Sequence, residues 1–134
     1  MTQASFLTPA ASTEPAALAV ARCADCDGFS FPANVPGCRH CGAPADRLRA
    51  QPCASPLALL NFVTVHAPLA PGLQVPAVIG EVALAPGLVE EARIDVADES
   101  VLALGMALEP VWRAGAEGAA GAWVFRPHAT EAAA

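Results

Sequence analysis

The sequence predicts a mostly β protein in which a small cysteine-rich segment precedes a barrel or sandwich of short strands. Four of the five cysteines fall between residues 18 and 50, a stretch with few large aliphatic side chains. After Gln51, apolar runs alternate with turns rich in proline and glycine, and no long helical pattern interrupts them. A chain of 134 residues has room for one domain, or for one small domain with an appended module.

The N-terminal region divides into two parts. Residues 1–16 are rich in Ala, Ser, Thr and Pro and carry Phe6 and Leu7 as sizeable apolar side chains, so we expect a tail that docks through these two residues. Residues 17–50 lack the aliphatic side chains for a hydrophobic core of their own. Another interaction must therefore hold this second segment together.

Two cysteine pairs supply that interaction. Cys23 and Cys26 form one C-x2-C pair, Cys38 and Cys41 form another, and eleven residues separate them. This spacing lets four thiolates converge tetrahedrally on one Zn²⁺ at about 2.3 Å. Residues 29–31 (FSF) fit the short hairpin strand of a zinc ribbon, and we expect positive backbone φ angles at the glycines that follow the pairs, Gly28 and Gly42. The sequence thus predicts a structural zinc site.

Two alternatives use the same cysteines. Rubredoxin-like iron takes four thiolates in the same way, and two disulfides would also pair all four residues. The N-terminus lacks the basic region of an export signal, which disfavours disulfides. A metal closed by four thiolates has no open position for a catalytic water, so we expect the metal to hold structure rather than to react.

Five apolar runs after residue 51 predict the strands of the barrel. Turn signals separate them, among them Ala85-Pro86-Gly87 and the glycine-rich stretch 115–121. The predicted strands are 57–66, 77–84, 88–96, 108–113 and 122–126.

Charge excludes several functions. The chain has 13 acidic residues and seven basic ones, all arginine, for a net charge of −6. Nucleic-acid affinity depends on cations that neutralise phosphates, so a chain this acidic is a poor nucleic-acid binder. No apolar run reaches the length of a membrane span, and we expect a cytoplasmic protein without membrane contact.

Other reactive residues have ordinary structural interpretations. Cys53, the odd cysteine, is expected as a buried small hydrophobe near the junction of the two parts. His40 is expected to point to solvent, His128 to belong to the C-terminal tail, and His66 to cap the end of a strand or to face a ligand beside the loop that follows it.

Two residue pairs in the predicted strands have similar interpretations. Trp112 and Trp123 are expected on neighbouring strands, in the core or at a partner interface, and Phe125, on the same strand as Trp123, is expected to offer apolar surface to a partner. Glu90 and Glu91 are expected on a solvated strand face rather than as a catalytic carboxylate pair, since adjacent strand residues point to opposite faces.

The order of these motifs resembles the OB-fold/zinc-ribbon proteins once catalogued as "domain of unknown function 35", here called the DUF35 family. The resemblance covers roughly residues 20–128. It departs from the family at Asp27, where a glycine is usual, and at 53–56, where the entry to the first barrel strand is usually rich in glycine. Besides the cysteine pairs and Pro32, the motifs that carry it are 62–66 (FVTVH), 76–82 (PAVIGEV), Gly105-Met106 and 124–127 (VFRP).

The resemblance implies a fold and a role. It implies an N-terminal tail at 1–16, a zinc ribbon at 17–50, an OB-fold barrel at 51–128 and a C-terminal tail at 129–134. Members of the family are small non-catalytic subunits of thiolase-like enzymes that act on acyl-CoA, by thiolytic or aldolytic cleavage or by acyl transfer, for instance in aromatic-compound or steroid degradation. We therefore expect no activity from the chain alone, a thiolase-fold partner, and acyl-CoA held mainly by that partner. The alternative is a free OB-fold protein that binds single-stranded nucleic acid, which the acidic charge opposes.

Overall fold

The computed structural model describes residues 17–53, 56–68, 71, 74–114 and 121–128. The predicted tails at 1–16 and 129–134, with Phe6 and Leu7, lie outside these residues. Eight strands and two short 3-10 turns, Ala45–Arg47 and Glu99–Val101, make up the described chain. The strands are β1 (Ala19–Cys23), β2 (Phe29–Ser30), β3 (Leu48–Pro52), β4 (Leu57–Val65), β5 (Ala77–Ala85), β6 (Leu88–Arg93), β7 (Ala107–Arg113) and β8 (Ala122–Pro127).

The first sheet has three antiparallel strands in the order β2-β1-β3. β2 confirms the hairpin strand predicted at residues 29–31. β1 and β3 were not predicted, because one is rich in alanine and the other (LRAQP) has no run of large apolar residues and ends in proline. Five backbone pairs, from Ala19–Pro52 to Cys23–Leu48, join these two strands and bring both ends of the cysteine-rich segment together.

The second sheet has five antiparallel strands in the order β6-β5-β4-β7-β8. The sheet curls so that its two edges meet, and a parallel bridge joins Ile94, just after β6, to Phe125 in β8. The predicted fold class, a mostly β chain with an N-terminal four-cysteine ribbon and an OB-like five-stranded barrel, is confirmed. All five predicted barrel strands are present within two or three residues of their expected ends.

One hydrophobic core fills the curled sheet. Phe125 and Leu59 are fully buried at its centre. Val20 of β1 and Leu18 just before it belong to the same core, and Phe29 and Phe31 pack against it. The ribbon thus shares its core with the barrel, and the division of the chain at residues 50 and 51 stays a prediction.

Two expectations about β6 and β8 are wrong. The predicted solvated face at Glu90 and Glu91 holds only for Glu91: Glu90 is 7% exposed, on the inward face that also carries Leu88 and Ala92. Phe125, which the sequence suggested as apolar surface for a partner, is wholly buried. In β6 strand alternation places Glu90 inward in spite of its charge, whereas in β8 the alternation is not strict, since the neighbours Val124 and Phe125 are both buried.

No helix among the residues that the structure describes is long and apolar enough to cross a membrane.

Candidate metal centre

The four paired cysteines converge at one end of the ribbon. Cys23 is the last residue of β1 and Cys26 lies in the turn after it, while Cys38 and Cys41 lie in a second turn. Their sulfur atoms all lie within 4.8 Å of one another. The Sγ–Sγ distance is 3.7 Å between Cys23 and Cys41 and 3.6 Å between Cys26 and Cys38.

These distances fit a tetrahedral metal site. With metal–sulfur bonds of about 2.3 Å, the sulfurs of a regular tetrahedron lie about 3.8 Å apart. A disulfide requires an S–S distance of about 2.05 Å, and all four cysteines are free thiols. The geometry therefore disfavours the disulfide alternative and suits a metal ion, such as zinc, that binds four sulfurs.

The two cysteine turns have the same backbone construction. Asp27 N donates to Cys23 O at 2.9 Å, and Gly42 N donates to Cys38 O at 3.0 Å. The residue four positions after the first cysteine is left-handed in both turns, with φ of 62° at Asp27 and 79° at Gly42. The positive φ expected at Gly28 is therefore found at Asp27, a residue type that tolerates this region better than most.

Gly28 is favoured at its position for a different reason, which is close packing. A Cβ atom at this position would lie 2.6 Å from Cδ2 of His40. The His40 ring is exposed, as expected, but its Nε2 also donates a hydrogen bond to the Phe29 carbonyl at 2.6 Å. His40 thereby fastens the second cysteine turn to β2.

Backbone N–H groups point at the sulfurs. Asp25 N donates to Cys23 Sγ at 3.4 Å and Gly28 N to Cys26 Sγ at 3.4 Å. Cys38 Sγ accepts from two amides, those of His40 at 3.3 Å and Cys41 at 3.5 Å. Such bonds stabilise thiolates, the form in which cysteine binds metal.

The four sulfurs lie too close together for all of them to be ionised without a bound cation. The amides of Cys41 and His40 lower the pKa of the Cys38 thiol to about 6. At Cys26 the Gly28 amide also lowers the pKa, but desolvation and the neighbouring sulfurs outweigh it and raise the pKa to about 12. Protein groups alone thus favour the thiolate form of Cys38 and oppose that of Cys26, whereas a divalent ion stabilises all four thiolates.

The remaining candidate residues lie away from this cluster. Cys53 lies at the junction of ribbon and barrel, as expected, but it is half-buried rather than fully buried, and burial raises its pKa to about 11. It lines an open groove of about 440 Å³ together with Trp112 and Trp123. The two indoles pair across β7 and β8 as predicted, edge to face with ring centroids 5.5 Å apart. His66 is exposed just after β4.

His128 is anchored to the barrel rather than free in a tail. Its backbone N donates to Ala107 O at 2.9 Å. The backbone of His128 therefore contacts the first residue of β7.

The fold and the cysteine cluster define a protein with a zinc-ribbon-like module and an OB-like barrel. Neither a family model nor a curated protein matches the sequence. Among solved structures the chain is similar to the Ltp2-ChsH2(DUF35) aldolase, with 26% sequence identity and a TM-score of 0.63. The match covers 83% of this chain and 84% of that chain. The resemblance to the DUF35 family is thereby confirmed.

Proposed function

We propose that this chain is a non-catalytic accessory subunit of a thiolase-like enzyme that cleaves or transfers acyl groups of acyl-CoA. The observation that carries the proposal is the structural likeness to a DUF35 chain of an aldolase, which extends over most of both chains. In this role the chain stabilises its partner and shapes the partner's acyl-CoA site.

The chemistry of the described residues supports a role without catalysis. Four sulfurs would fill the coordination of the metal and leave no open position for water or substrate. The Cys53 thiol, with its pKa near 11, is protonated at neutral pH and is a weak nucleophile. Thiolase-type chemistry needs an activated cysteine, which the partner supplies in this proposal.

The metal in this proposal is structural Zn²⁺ held by Cys23, Cys26, Cys38 and Cys41. The four-sulfur geometry supports it, and the ribbon's own buried cluster, Cys23, Cys38 and Ala43, is too small to replace it. Iron would use the same sulfurs, so elemental analysis of protein purified without chelator distinguishes the two ions.

Charge supports placing the nucleotide end of acyl-CoA on the partner. The chain has a net charge of −6, and four metal-bound thiolates exceed the charge of one divalent ion. A surface of this sign repels phosphates, so their contacts would come mostly from the partner.

Exposed apolar side chains on one side of the barrel are suited to docking. Leu60 on β4 is 44% exposed, and Val101 and Leu104, in the segment before β7, are 60% and 67% exposed. Gly105 N donates to Leu59 O at 2.7 Å, which holds this segment along β4. Large apolar side chains exposed in this way are candidates for a protein interface.

Co-expression with a thiolase-like chain encoded by an adjacent reading frame tests the proposal. We expect a stable hetero-oligomer with acyl-CoA activity, no turnover by the 134-residue chain alone, and a partner that is insoluble or poorly active by itself. Turnover by the isolated chain, or full activity of the partner without it, would contradict the accessory role.

A matched pair of variants tests the docking surface. Leu104→Glu places a charge at the proposed interface and should abolish co-purification while leaving the melting temperature of the isolated chain unchanged. Val89→Glu, at an exposed position of β6, is the control and should leave the complex intact. If both variants assemble normally, the partner docks elsewhere.

A further inference from the structure

The inward-facing carboxylate of Glu90 is paired across the boundary between ribbon and barrel. Arg39 Nη1 lies 2.9 Å from Glu90 Oε2, and only 7% of the Glu90 side chain is exposed. The other four ion pairs found in the described residues join side chains that are each at least 22% exposed. Of these carboxylates, Glu90 therefore depends most on its cation, because a buried carboxylate without a cation is strongly unfavourable.

The position of Arg39 depends on the cysteine cluster. Arg39 lies between Cys38 and Cys41 in the second cysteine turn. Its backbone N donates to Oγ of Ser30 at 3.0 Å, and Ser30 is fully buried. The turn is thus held on one side by the sulfurs and on the other by β2 and the barrel strand β6.

We propose that a metal ion in the four-cysteine site locks the ribbon onto the barrel through the Arg39–Glu90 pair. The bound ion fixes the second cysteine turn, and the turn holds the Arg39 guanidinium against the Glu90 carboxylate. Loss of the ion frees the turn, leaves Glu90 without its cation and loosens β6. This inference rests on the proposed metal site but not on the accessory-subunit role.

Thermodynamic reciprocity links the Arg39–Glu90 contact to the affinity of the site for the metal ion. If the metal stabilises the Arg39–Glu90 contact, the contact must stabilise metal binding by the same factor. Couplings of this kind amount to about 5–150-fold. A change at Glu90 should therefore alter zinc affinity although Glu90 lies in the barrel strand β6.

Hydrogen exchange of the full chain, with Zn²⁺ and after removal of the ion by EDTA, tests the lock. In the wild type we expect chelation to speed exchange of the β6 amides. In Glu90→Gln, which removes the buried charge, the acceleration should be about tenfold smaller. Zinc competition against a chelator should show a loss of affinity of about the same factor. Glu90→Met gives the same comparison if the glutamine variant folds poorly.

A control variant separates the lock from general weakening of the barrel. Glu109 pairs with Arg126 at 2.6 Å within the barrel sheet, between the neighbouring strands β7 and β8. Glu109→Gln should respond to chelation as the wild type does. Arg39→Gln should speed β6 exchange even with zinc bound, because it removes the cation and keeps the buried carboxylate.

Two results would overturn the inference, and they differ in what else they affect. Equal acceleration by EDTA in the wild type and in Glu90→Gln would refute the lock while leaving the metal site in place. Failure of the wild type to bind zinc would refute both the lock and the proposed metal site. Neither result bears on assembly with a partner enzyme, which the co-expression experiment measures.

Discussion

The ribbon and the barrel bury very different amounts of apolar surface. The cluster around the cysteines contains three small buried residues, Cys23, Cys38 and Ala43, with Leu48 packed beside them. The core of the barrel contains thirteen buried residues, among them Phe125, Leu59 and Ile94. At about 25 cal/mol per Å² of buried apolar area, the barrel gains stability from burial, and so do Leu18 and Val20, the ribbon residues that share its core. The end of the ribbon around the cysteines buries too little apolar area to gain stability in this way. The ribbon instead needs the free energy of metal binding, whereas the barrel needs a complete core.

The largest expected effect comes from removing one metal ligand. Free energies of binding at structural zinc sites are on the order of 10 kcal/mol, more than the small ribbon cluster can replace. Cys38→Ser should therefore abolish zinc binding and the folded ribbon, as measured by elemental analysis and by hydrogen exchange of β1 and β2. Cys53→Ala is the matched control and should keep its zinc. A Cys38→Ser protein with full zinc content and unchanged exchange would mean that burial suffices for the ribbon.

The second effect belongs to the barrel. Phe125 is fully buried where β8 meets the end of β6, and Phe125→Ala should cost about 3–5 kcal/mol of unfolding free energy through lost burial and a cavity. Urea denaturation measures this change, and zinc content should stay at the wild-type level. Val101→Ala, at a position that is 60% exposed, should change stability by no more than about 0.5 kcal/mol. A similar small change for Phe125→Ala would contradict the importance of the core.

A third prediction compares the change of a glycine to alanine in the barrel with the same change in the ribbon. At Gly121 a Cβ would lie 2.6 Å from the Trp112 ring and 2.7 Å from the Arg113 carbonyl oxygen, and neither the packed ring nor the backbone can easily move. Gly121→Ala should cost about 1–3 kcal/mol. At Gly28 the nearest neighbour is the exposed His40 ring, which can rotate away if it gives up its hydrogen bond to Phe29 O, and Cys26 Sγ lies farther off at 3.2 Å. Gly28→Ala should therefore cost about 1 kcal/mol. Thermal unfolding of both variants checks the order, and a larger loss at Gly28 would reverse it.

The smallest expected effect is an absence of binding. A free OB-fold nucleic-acid binder would hold single strands with a steep dependence on salt. We expect no binding of a single-stranded DNA or RNA oligomer at about 0.15 M salt, because the chain is acidic. Fluorescence anisotropy with a labelled oligomer measures this, and micromolar affinity would favour the nucleic-acid alternative over the accessory role.

Much of the barrel could be predicted from the sequence because its strands carry their own apolar pattern. β4 and β5 are long runs with β-branched residues, bounded by proline and glycine. β1 and β3 carry no such pattern, since β3 is largely exposed and β1 consists mainly of small residues. Their pairing depends on contacts between residues far apart in sequence, which local propensity does not contain.

The cysteine cluster was predictable and its surroundings were not. The C-x2-C spacing is a local signal that can be recognised directly in the sequence. The partner of Arg39 lies 51 positions away in β6, and no short motif joins the two residues. Alternation along β6 does place Glu90 on the same face as Leu88 and Ile94, which was the available sign that this carboxylate points inward.

The parallel bridge between Ile94 and Phe125 affects the order in which the ribbon and the barrel fold during synthesis. The four paired cysteines precede β4 in the chain and therefore emerge from the ribosome before it, so the ribbon can capture its ion while the last strands are still being made. The barrel closes only when β8 arrives, because its last strand must meet β6 across an intervening loop and β7. Until then Leu59 and Ile94 lack part of their cover, and the nascent barrel exposes apolar surface to chaperones and to other chains.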